Sequence, residues 1–331
     1  MSSSSPLQRK AVDLASRRVF VAGHRGMVGS ALVRRLAREG AEILTATRAE
    51  LDLCRQRETE EWIGEHRPEF IFIAAAKVGG ILANATYPGQ FLYDNLMIQT
   101  NIVEAARKVG VAKIMLLGSS CVYPRLAPQP MPESCLLTGP LEETNQWYAI
   151  AKIAGVKLVQ AYRRQYGMNL IAAMPTNLYG PADDYDVQNS HVAAAMLRRL
   201  HQAKIGNAER VVIWGTGTPR REFLHVDDLA EACIFLMRHW DDEEPINVGS
   251  GQEVTILELA KLVAETVGWS GRFELDASKP DGTPRKLLDV SRLMTMGWQP
   301  AIGLREGLAH AYADFRARWE AGEFTAKGAV A

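Results

Sequence analysis

Short apolar runs alternate along the chain with amphipathic stretches in which apolar residues recur every three or four positions. The short runs predict buried strands and the amphipathic stretches predict helices, because the two elements repeat their faces with different periods. Strands that alternate with helices are typical of a parallel sheet whose right-handed crossovers place helices on both faces. The pattern therefore predicts an α/β fold with a doubly wound parallel sheet. The predicted strands span residues 18–22, 42–46, 70–76, 113–117, 169–174, 211–214 and 246–249, and the predicted helices span residues 30–39, 56–66, 93–109, 146–166, 192–201, 226–240, 256–267 and 304–319.

Composition narrows the class of protein. The 331 residues have 47% hydrophobic content, 23% charged content and a formal net charge of zero, so neither nucleic acid nor a membrane is expected as a partner. The four cysteines form no C-x-x-C pair, which disfavours a zinc site and a disulfide framework. The serine-rich start lacks the apolar segment of a signal peptide. We expect a soluble, cytoplasmic protein that binds no metal.

The first predicted strand runs directly into a glycine-rich turn and then into a helix. Gly23, Gly26 and Gly29 give the spacing G-x-x-G-x-x-G in this strand–turn–helix context. Glycines let the backbone approach a pyrophosphate, and the helix N-terminus offers unpaired N–H groups to it. The turn therefore predicts a dinucleotide-binding domain of the Rossmann type.

The end of the second predicted strand bears on the choice of cofactor. A carboxylate there usually holds the ribose 2′-hydroxyl of NAD, whereas an arginine suits the 2′-phosphate of NADP. Arg48 occupies this position and Arg25 of the glycine turn could supply a second guanidinium, so NADP(H) is predicted. Glu50 and Asp52 lie close enough along the chain to keep NAD open as an alternative, unless they cap the following helix.

Proline-containing segments suggest how the chain is divided. Residues 124–145 lack periodicity and predict a loop over the site, and residues 175–181 mark where the chain leaves the first domain. The predicted parts are a mobile tail at 1–16, an NADP-binding Rossmann domain at 17–180 to which segments near 211–240 return, a smaller discontinuous substrate domain mainly at 181–320, and a tail at 321–331.

Tyr148 and Lys152 are four residues apart on a predicted helix and therefore share one face. A neighbouring ammonium is expected to favour the phenolate form of the tyrosine. With the hydroxyl of Ser119 arriving from a strand end, such a pair can pass a proton to or from a carbonyl oxygen during hydride transfer. The spacing alone is common by chance, so it indicates this chemistry only together with the glycine turn.

Several motifs in the same order resemble the extended short-chain dehydrogenase/reductases that act on nucleotide sugars and, more narrowly, the GDP-L-fucose synthase family. The resemblance covers residues 17–320. The motifs are Gly23-His-Arg-Gly-Met-Val-Gly29, Lys77-Val-Gly-Gly80, Gly118-Ser-Ser-Cys-Val-Tyr-Pro124, Pro175-Thr-Asn-Leu-Tyr-Gly-Pro181, Asn189-Ser-His191, Arg221-Glu-Phe-Leu-His-Val-Asp-Asp228 and Lys279-Pro-Asp-Gly-Thr-Pro-Arg-Lys286.

The resemblance implies a two-part reaction. The family converts GDP-4-keto-6-deoxy-D-mannose to GDP-L-fucose by epimerisation at C3 and C5, followed by reduction of the C4 ketone with NADPH. Cys121 and His191 would then form the acid/base pair, because a thiol and an imidazole both titrate near working pH. Cys121 lies two residues after Ser119, so both side chains would face the same way if the strand were still extended. Which of the two acts as base at each carbon, and the order of the epimerisations, stay open.

The resemblance also implies the residues of the site. Ser119, Cys121, Tyr148, Lys152 and His191 would be catalytic. The substrate would be held by Arg199, Trp214, Arg221, Asp281 and Lys286, with the cations on the diphosphate, Trp214 as an apolar wall and Asp281 accepting from a sugar hydroxyl. The expected cofactor contacts are Gly23, Arg25, Gly26, Met27, Val28, Gly29, Arg48, Leu117, Ser119, Lys152, Pro175, Asn177, Leu178 and His191.

Two alternatives stay open from the sequence. A nucleotide-sugar 4-epimerase with tightly held NAD would use the same fold, although related 4-epimerases have small residues where Cys121 stands and the 4,6-dehydratases have an acidic pair there. A non-catalytic NADP-binding regulator would not need Cys121, Tyr148, Lys152 and His191 together. The resemblance further implies a homodimer formed through the helices predicted at 93–109 and 146–166.

Overall fold

The structure, a computed structural model, describes residues 12–186, 190–279 and 281–324. Strands and helices alternate there as the sequence predicts. The strands are β1 (Arg18–Ala22), β2 (Glu42–Leu44), β3 (Phe70–Ile73), β4 (Lys113–Leu117), β5 (Leu170–Pro175), β6 (Asn177–Tyr179), β7 (Arg210–Trp214), β8 (Arg220–His225), β9 (Ile246–Val248), β10 (Glu253–Thr255), β11 (Arg272–Asp276) and β12 (Arg285–Lys286). The helices are α1 (Met27–Ala37), α2 (Gln56–His66), α3 (Ile81–Thr86), α4 (Pro88–Val109), α5 (Gln146–Tyr166), α6 (Val192–Ile205), α7 (Val226–His239), α8 (Ile256–Val267), α9 (Ser291–Thr295) and α10 (Leu304–Glu320).

Six parallel strands form the main sheet in the order β2-β1-β3-β4-β5-β9. Val19 of β1 pairs with Ile43 of β2 on one side and with Phe70 of β3 on the other. The chain therefore adds β2 on one side of β1 and then β3 on the other side, which creates a topological switch point between β1 and β3. Ligands of open α/β sheets bind at such a point, beyond the carboxyl ends of the strands. The predicted doubly wound Rossmann sheet is confirmed.

Both faces of this sheet are buried, and β3 shows why its apolar run is continuous. Ile71 and Ile73 lie in the core beneath α2, α4 and α5, whereas Phe70 and Phe72 lie in the core on the opposite face, which includes residues of α1 and α7. Successive side chains of a strand point to opposite faces, so a strand covered on both sides must be apolar at every position. Burial of each such side chain contributes about 1.5–3 kcal/mol.

The remaining strands build a second layer beside the carboxyl edge of the main sheet. β8 is central, with β10 antiparallel to it and β6 and β12 parallel to it. β7 pairs separately with β11. A third apolar core joins α6, α8 and α10 through Leu197, Leu259 and Phe315. Within the segment 211–240, α7 packs on the main sheet and α1, whereas β7 does not join that sheet.

The described ends of the chain differ from the predicted tails. Leu14 is fully buried in the core with α1, and the Ser16 N–H donates to the carbonyl oxygen of Gly40 at 2.8 Å. Residues 12–16 are thus part of the packed domain, and residues 1–11 lie outside the described residues. At the other end, the ring of Phe324 stacks on Phe315 with 5.5 Å between centroids, so residues 321–324 are packed as well. Residues 325–331 lie outside the described residues.

Several smaller elements also differ from the sequence-based prediction. Helix α3, which the sequence does not predict, follows β3, and the segment 175–181 contains strand β6. Helix α7 is capped by the ring of His225, which accepts from the backbone N–H of Asp227. In the described part of the chain, no helix is both long and apolar enough to cross a bilayer.

Candidate active site

The glycine turn forms a cradle at the switch point. Gly23 follows β1 with φ = +85°, and a Cβ there would lie 2.7 Å from the Cα of Ala75 beyond β3. A Cβ on Gly29 would lie 2.1 Å from the carbonyl oxygen of Gly23. Gly26 is the N-cap residue of α1, whose first residues are Met27 and Val28, and the first N–H groups of a helix have no partner within it. The glycine turn therefore has a shape in which backbone groups could hold a diphosphate.

The two arginines predicted to select NADP lie on separate segments, Arg25 in the glycine turn after β1 and Arg48 after β2. Arg25 and Arg48 are both exposed to solvent. Glu50 instead turns back on its own loop and accepts from the Thr47 N–H at 2.7 Å, and this backbone bond is the main reason that its pKa is lowered. Asp52 accepts from the N–H of Cys54 at 3.1 Å. Both carboxylates thus bind backbone N–H groups of their own loop.

Lys152 is held against the end of β4. Its ammonium donates to the carbonyl oxygen of Leu117 at 2.8 Å, and the residue is only 4% exposed. Burial lowers the pKa of Lys152 to about 8. The same ammonium lies 5.7 Å from the ring centroid of Tyr148, one turn earlier on α5. The predicted shared face of the two side chains is therefore present.

The electrostatic state of Tyr148 differs from the prediction. The ammonium of Lys152 is predicted to favour the phenolate, but the pKa of Tyr148 is raised, first by burial and then by its electrostatic interaction with Cys121, with an opposing hydrogen bond to Ser119. Desolvation of the phenol is the largest of these influences, because burial disfavours the charged form. At neutral pH the phenol is thus protonated and able to donate.

Ser119 and Cys121 meet Tyr148 for a different reason from the one predicted. The strand ends at Leu117, and Ser120–Val122 forms one turn of 3₁₀-helix, so extended alternation does not apply. Ser119 is the N-cap of this turn, and its hydroxyl oxygen accepts from the N–H of Cys121 at 3.3 Å. The turn brings both side chains to the phenol, as the electrostatic coupling of Tyr148 to both of them indicates.

The sulfur of Cys121 has two further neighbours. Asn145, at the N-cap of α5, directs its Nδ2 to the sulfur at 3.3 Å. Lys286 of β12 directs its Nζ to the sulfur at 3.5 Å. The sequence predicts Lys286 as a cation for the diphosphate and gives no functional signal at Asn145. An asparagine immediately before a predicted helix is an ordinary capping residue, so nothing in its position indicated contact with the cysteine.

His191 is the N-cap residue of α6. Its ring forms no cap hydrogen bond within the described part of the chain, and Asn189 lies outside the described residues. The pKa of His191 is lowered by the protein atoms around the ring and by Lys286, against an opposing influence of Asp184. The coupling to Lys286 joins His191 to the group around Cys121.

Two of the predicted substrate residues, Arg199 and Trp214, line a cleft beside α6 and α8. An apolar space of about 170 Å³ is lined by Val192, Arg199, Trp214, Ile256 and Phe273, among others. The guanidinium of Arg199 donates to the carbonyl oxygen of Val212 at 3.0 Å, and Trp214 is 64% exposed. A flat aromatic face beside an arginine is suited to an aromatic base with an attached phosphate.

Two further predicted substrate residues, Arg221 and Asp281, differ in burial and in hydrogen bonding. Arg221 is half-buried between the layers, and desolvation lowers its pKa. Asp281 does not present a free carboxylate: its two oxygens accept from the backbone N–H and the hydroxyl of Thr216, each at 2.7 Å. In this structure Asp281 therefore organises the turn after β7, and a sugar hydroxyl would have to share its oxygens.

The predicted contacts beyond β5 lie at the edge of the main sheet. Pro175 ends β5, and Leu178 of β6 packs against the core that includes α1. Asn177 donates through Nδ2 to the carbonyl oxygen of Glu222 at 2.8 Å. These residues therefore lie where the chain passes from the carboxyl end of β5 into β6 of the second layer.

Comparison with known proteins agrees with this geometry. The family described as NAD dependent epimerase/dehydratase matches residues 19–249. GDP-L-fucose synthase 1 from Arabidopsis thaliana is 57% identical over 298 residues, which cover 90% of this chain and 92% of the plant protein. The chain belongs to the GDP-L-fucose synthase family. The GDP-L-fucose synthase of Escherichia coli K12 is 54% identical and covers 90% of this chain and 96% of its own length.

This member of the GDP-L-fucose synthase family is also similar to solved structures of enzymes that act on nucleotide sugars. A GDP-mannoheptose C4 reductase from Campylobacter jejuni with NADP bound has a TM-score of 0.83 and 34% identity, over 91% of this chain and 98% of its own. A GDP-L-fucose synthetase from Naegleria fowleri has a TM-score of 0.87 at 24% identity, which bears on the fold alone.

Proposed function

We propose that the protein converts GDP-4-keto-6-deoxy-D-mannose to GDP-L-fucose, by epimerisation at C3 and C5 and reduction of the C4 ketone with NADPH. The observation that carries this proposal is the position of the Cys121 sulfur beside the Ser119–Tyr148 pair, so that an acid/base group and a ketone-binding pair share one cleft. A simple reductase would need only the second of these. The close relatives named GDP-L-fucose synthase support the same substrate.

The cofactor proposal rests on the cradle at the switch point. The backbone of the glycine turn and the N-terminus of α1 would hold the diphosphate, and Arg25 and Arg48 would hold the 2′-phosphate. The reductase from Campylobacter jejuni with NADP bound supports this choice. When bound, NADPH supplies the hydride for the ketone. Further contacts are proposed from Leu117, Lys152, Pro175, Asn177, Leu178 and His191, which border the crevice or the cleft beside it.

In the epimerisation, Cys121 and His191 would exchange protons with the carbons beside the ketone. Removal of such a proton moves the C–H electron pair into an enolate, and the negative charge appears on the ketone oxygen. Ser119 and Tyr148 would hold that oxygen with their hydroxyls, which stabilises the enolate where charge develops. Proton return from the opposite face inverts the carbon. The assignment of base and acid between the thiol and the imidazole stays open at each carbon.

In the reduction, Tyr148 would donate its proton to the same oxygen as the hydride reaches the carbon. The raised pKa of Tyr148 keeps this proton in place at neutral pH. The buried ammonium of Lys152 lies near enough to stabilise the phenolate that forms. One oxygen-binding pair would thus serve both halves of the reaction.

For the substrate, the cleft beside Trp214 and Arg199 would receive the guanosine end and Arg221 the diphosphate. We also propose a homodimer. Tyr93 of α4 and Trp147, Ile150 and Tyr166 of α5 are large exposed apolar side chains on two helices that pack together, and a four-helix contact with a second copy would cover them. The four free cysteines suit a reducing cytoplasm.

The experiment is incubation of the purified protein with GDP-4-keto-6-deoxy-D-mannose and NADPH, with absorbance at 340 nm and NMR of the product. The proposal expects one NADPH oxidised for each GDP-L-fucose formed. A 4-epimerase would form product without net NADPH oxidation, and a regulator would form none. Either of these results would overturn the proposed function.

A further inference from the structure

We propose that Lys286 holds Cys121 as a thiolate in the free enzyme, so that this lysine prepares the cysteine to accept a proton rather than serving only as a cation for the substrate. The inference rests on the proposed function, in which Cys121 exchanges protons with the sugar. It assigns to Lys286 a positioning role at the sulfur that its place in the sequence did not indicate.

Two nitrogen atoms of other side chains contact the sulfur of Cys121. The Nζ of Lys286 lies 3.5 Å from the Sγ of Cys121, and the Nδ2 of Asn145 lies 3.3 Å from it. Both atoms can only donate hydrogen bonds. A sulfur that faces two donors acts as an acceptor, and the anionic form is the stronger acceptor, more so when one donor is a cation. The arrangement is therefore complementary to a thiolate.

The backbone around Lys286 is held by a strand pairing and by hydrogen bonds. Lys286 pairs with Arg221 in the register between β12 and β8. The N–H of Leu287 donates to the side chain of Gln129 at 2.9 Å, and the N–H of Leu288 donates to the carboxylate of Glu222 at 3.0 Å. Glu222 has no exposed surface. The ammonium thus reaches the sulfur from a rigid strand end, so the contact is a built feature of the second layer.

Lys286 influences the charge of both proposed acid/base groups. Lys286 also acts on His191, where it disfavours the imidazolium, and burial acts in the same direction. One ammonium therefore opposes positive charge on the imidazole and favours negative charge on the sulfur. In the proton transfer, the C–H bond breaks, an S–H bond forms on Cys121, and the electron pair moves into the enolate. Lys286 compensates the thiolate before that step and faces a neutral thiol after it.

The test measures the sulfur directly and needs no substrate. Thiolates, not thiols, react with iodoacetamide, so the alkylation rate of Cys121 at pH 7 reports the thiolate. The rate is followed by mass spectrometry of the peptide that contains Cys121, in the wild type and in Lys286→Met, Lys286→Arg and Lys261→Met. Lys261 is an exposed lysine of α8 and serves as the matched control. Retained NADPH binding establishes that each variant is folded.

We expect Lys286→Met to slow alkylation of Cys121 by roughly tenfold, Lys286→Arg to keep most of the wild-type rate, and Lys261→Met to change nothing. An unchanged rate in folded Lys286→Met would overturn the inference, and so would equal slowing in the Met and Arg variants, because charge would then be irrelevant. These outcomes do not depend on turnover. Failure of the NADPH assay in the wild type would overturn the proposed function while leaving the alkylation result to be judged separately.

Discussion

The ammonium of Lys152 donates a hydrogen bond of 2.8 Å to the carbonyl oxygen of Leu117, the last residue of β4. This bond joins α5 to the carboxyl end of a central strand. Ser119 follows Leu117 by two positions and Tyr148 precedes Lys152 by one helical turn, so the bond fixes the hydroxyl and the phenol relative to each other. The position of the candidate active site is therefore a property of the main sheet and α5.

Burial of Lys152 predicts a pH-dependent cost in stability. Its pKa in the folded protein is about 8, below the ordinary 10.5, so between these values the unfolded chain binds more protons and stability rises with pH. Below pH 8 the full stability cost of burying the charged lysine is present. From pH 8 to 9.5 the free energy of unfolding of the wild type should rise relative to that of Lys152→Met, by at most about 1.4 kcal/mol per pH unit. Urea unfolding of both proteins measures this, and a pH-independent difference would refute the shift.

Loss of the phenol should separate the two halves of the reaction. Tyr148→Phe removes the proposed proton donor for the ketone oxygen but leaves the Ser119 hydroxyl beside it. The rate of NADPH oxidation at saturating substrate should fall by about 10²–10⁴-fold. Exchange of the C3 and C5 protons with deuterated solvent should fall by much less. Equal losses in the two assays would mean that Tyr148 is not a separate proton donor.

Arg48 predicts the preference for NADPH. Arg48→Ala should weaken NADPH binding by about 10- to 100-fold, the effect of one charge-assisted hydrogen bond, and should leave NADH binding unchanged. The matched control is Arg55→Ala, an exposed arginine after the same strand that pairs only at 3.9 Å with Asp52. Titration of cofactor fluorescence gives all the dissociation constants. If Arg48→Ala weakens both cofactors alike, the 2′-phosphate is held elsewhere.

Trp214 predicts how the nucleotide end of the substrate is bound. Trp214→Ala removes the exposed aromatic wall of the cleft and should raise KM about tenfold with little change in kcat, because the base is far from the reacting carbons. Ile205→Ala, at the exposed end of α6, is the control. A large drop in kcat with unchanged KM would place Trp214 in the chemistry instead.

The fold was predictable where local signals were strong. Helices α2, α5 and α8 begin and end at the predicted residues. Gly167 and Gly268 end α5 and α8 in the left-handed conformation, and Thr255 with Glu258 forms a capping box at the start of α8. Strand β8 was missed because Arg220, Arg221 and Glu222 make its first half charged. Glu222 is tolerated in the interior only because backbone N–H groups, including those of Gly251 and Leu288, satisfy its carboxylate.

The candidate site was predictable where its residues are close in sequence or share a face. Tyr148 and Lys152 share a face of α5 as expected, because both lie on one helix. The contact between Cys121 and Lys286 joins positions 165 residues apart, so no local pattern could indicate it. The 3₁₀ turn after β4 was likewise hidden, since Ser120–Val122 would have been equally compatible with an extended strand. Tertiary packing determines both the contact between Cys121 and Lys286 and the 3₁₀ turn.

The most direct measurement of the central claim follows deuterium uptake at C3 and C5 of GDP-4-keto-6-deoxy-D-mannose in D₂O, by NMR, with NADP⁺ bound and no reduction possible. The wild type should exchange both protons, and Cys121→Ser should lose exchange by about 10²-fold or more while it still binds NADPH with unchanged affinity. Cys54→Ser, which replaces a thiol that contacts the carbonyl oxygen of Asp94 instead, should exchange like the wild type. Wild-type exchange by Cys121→Ser would contradict the account, because the thiol at the centre of the cleft would then take no part in epimerisation.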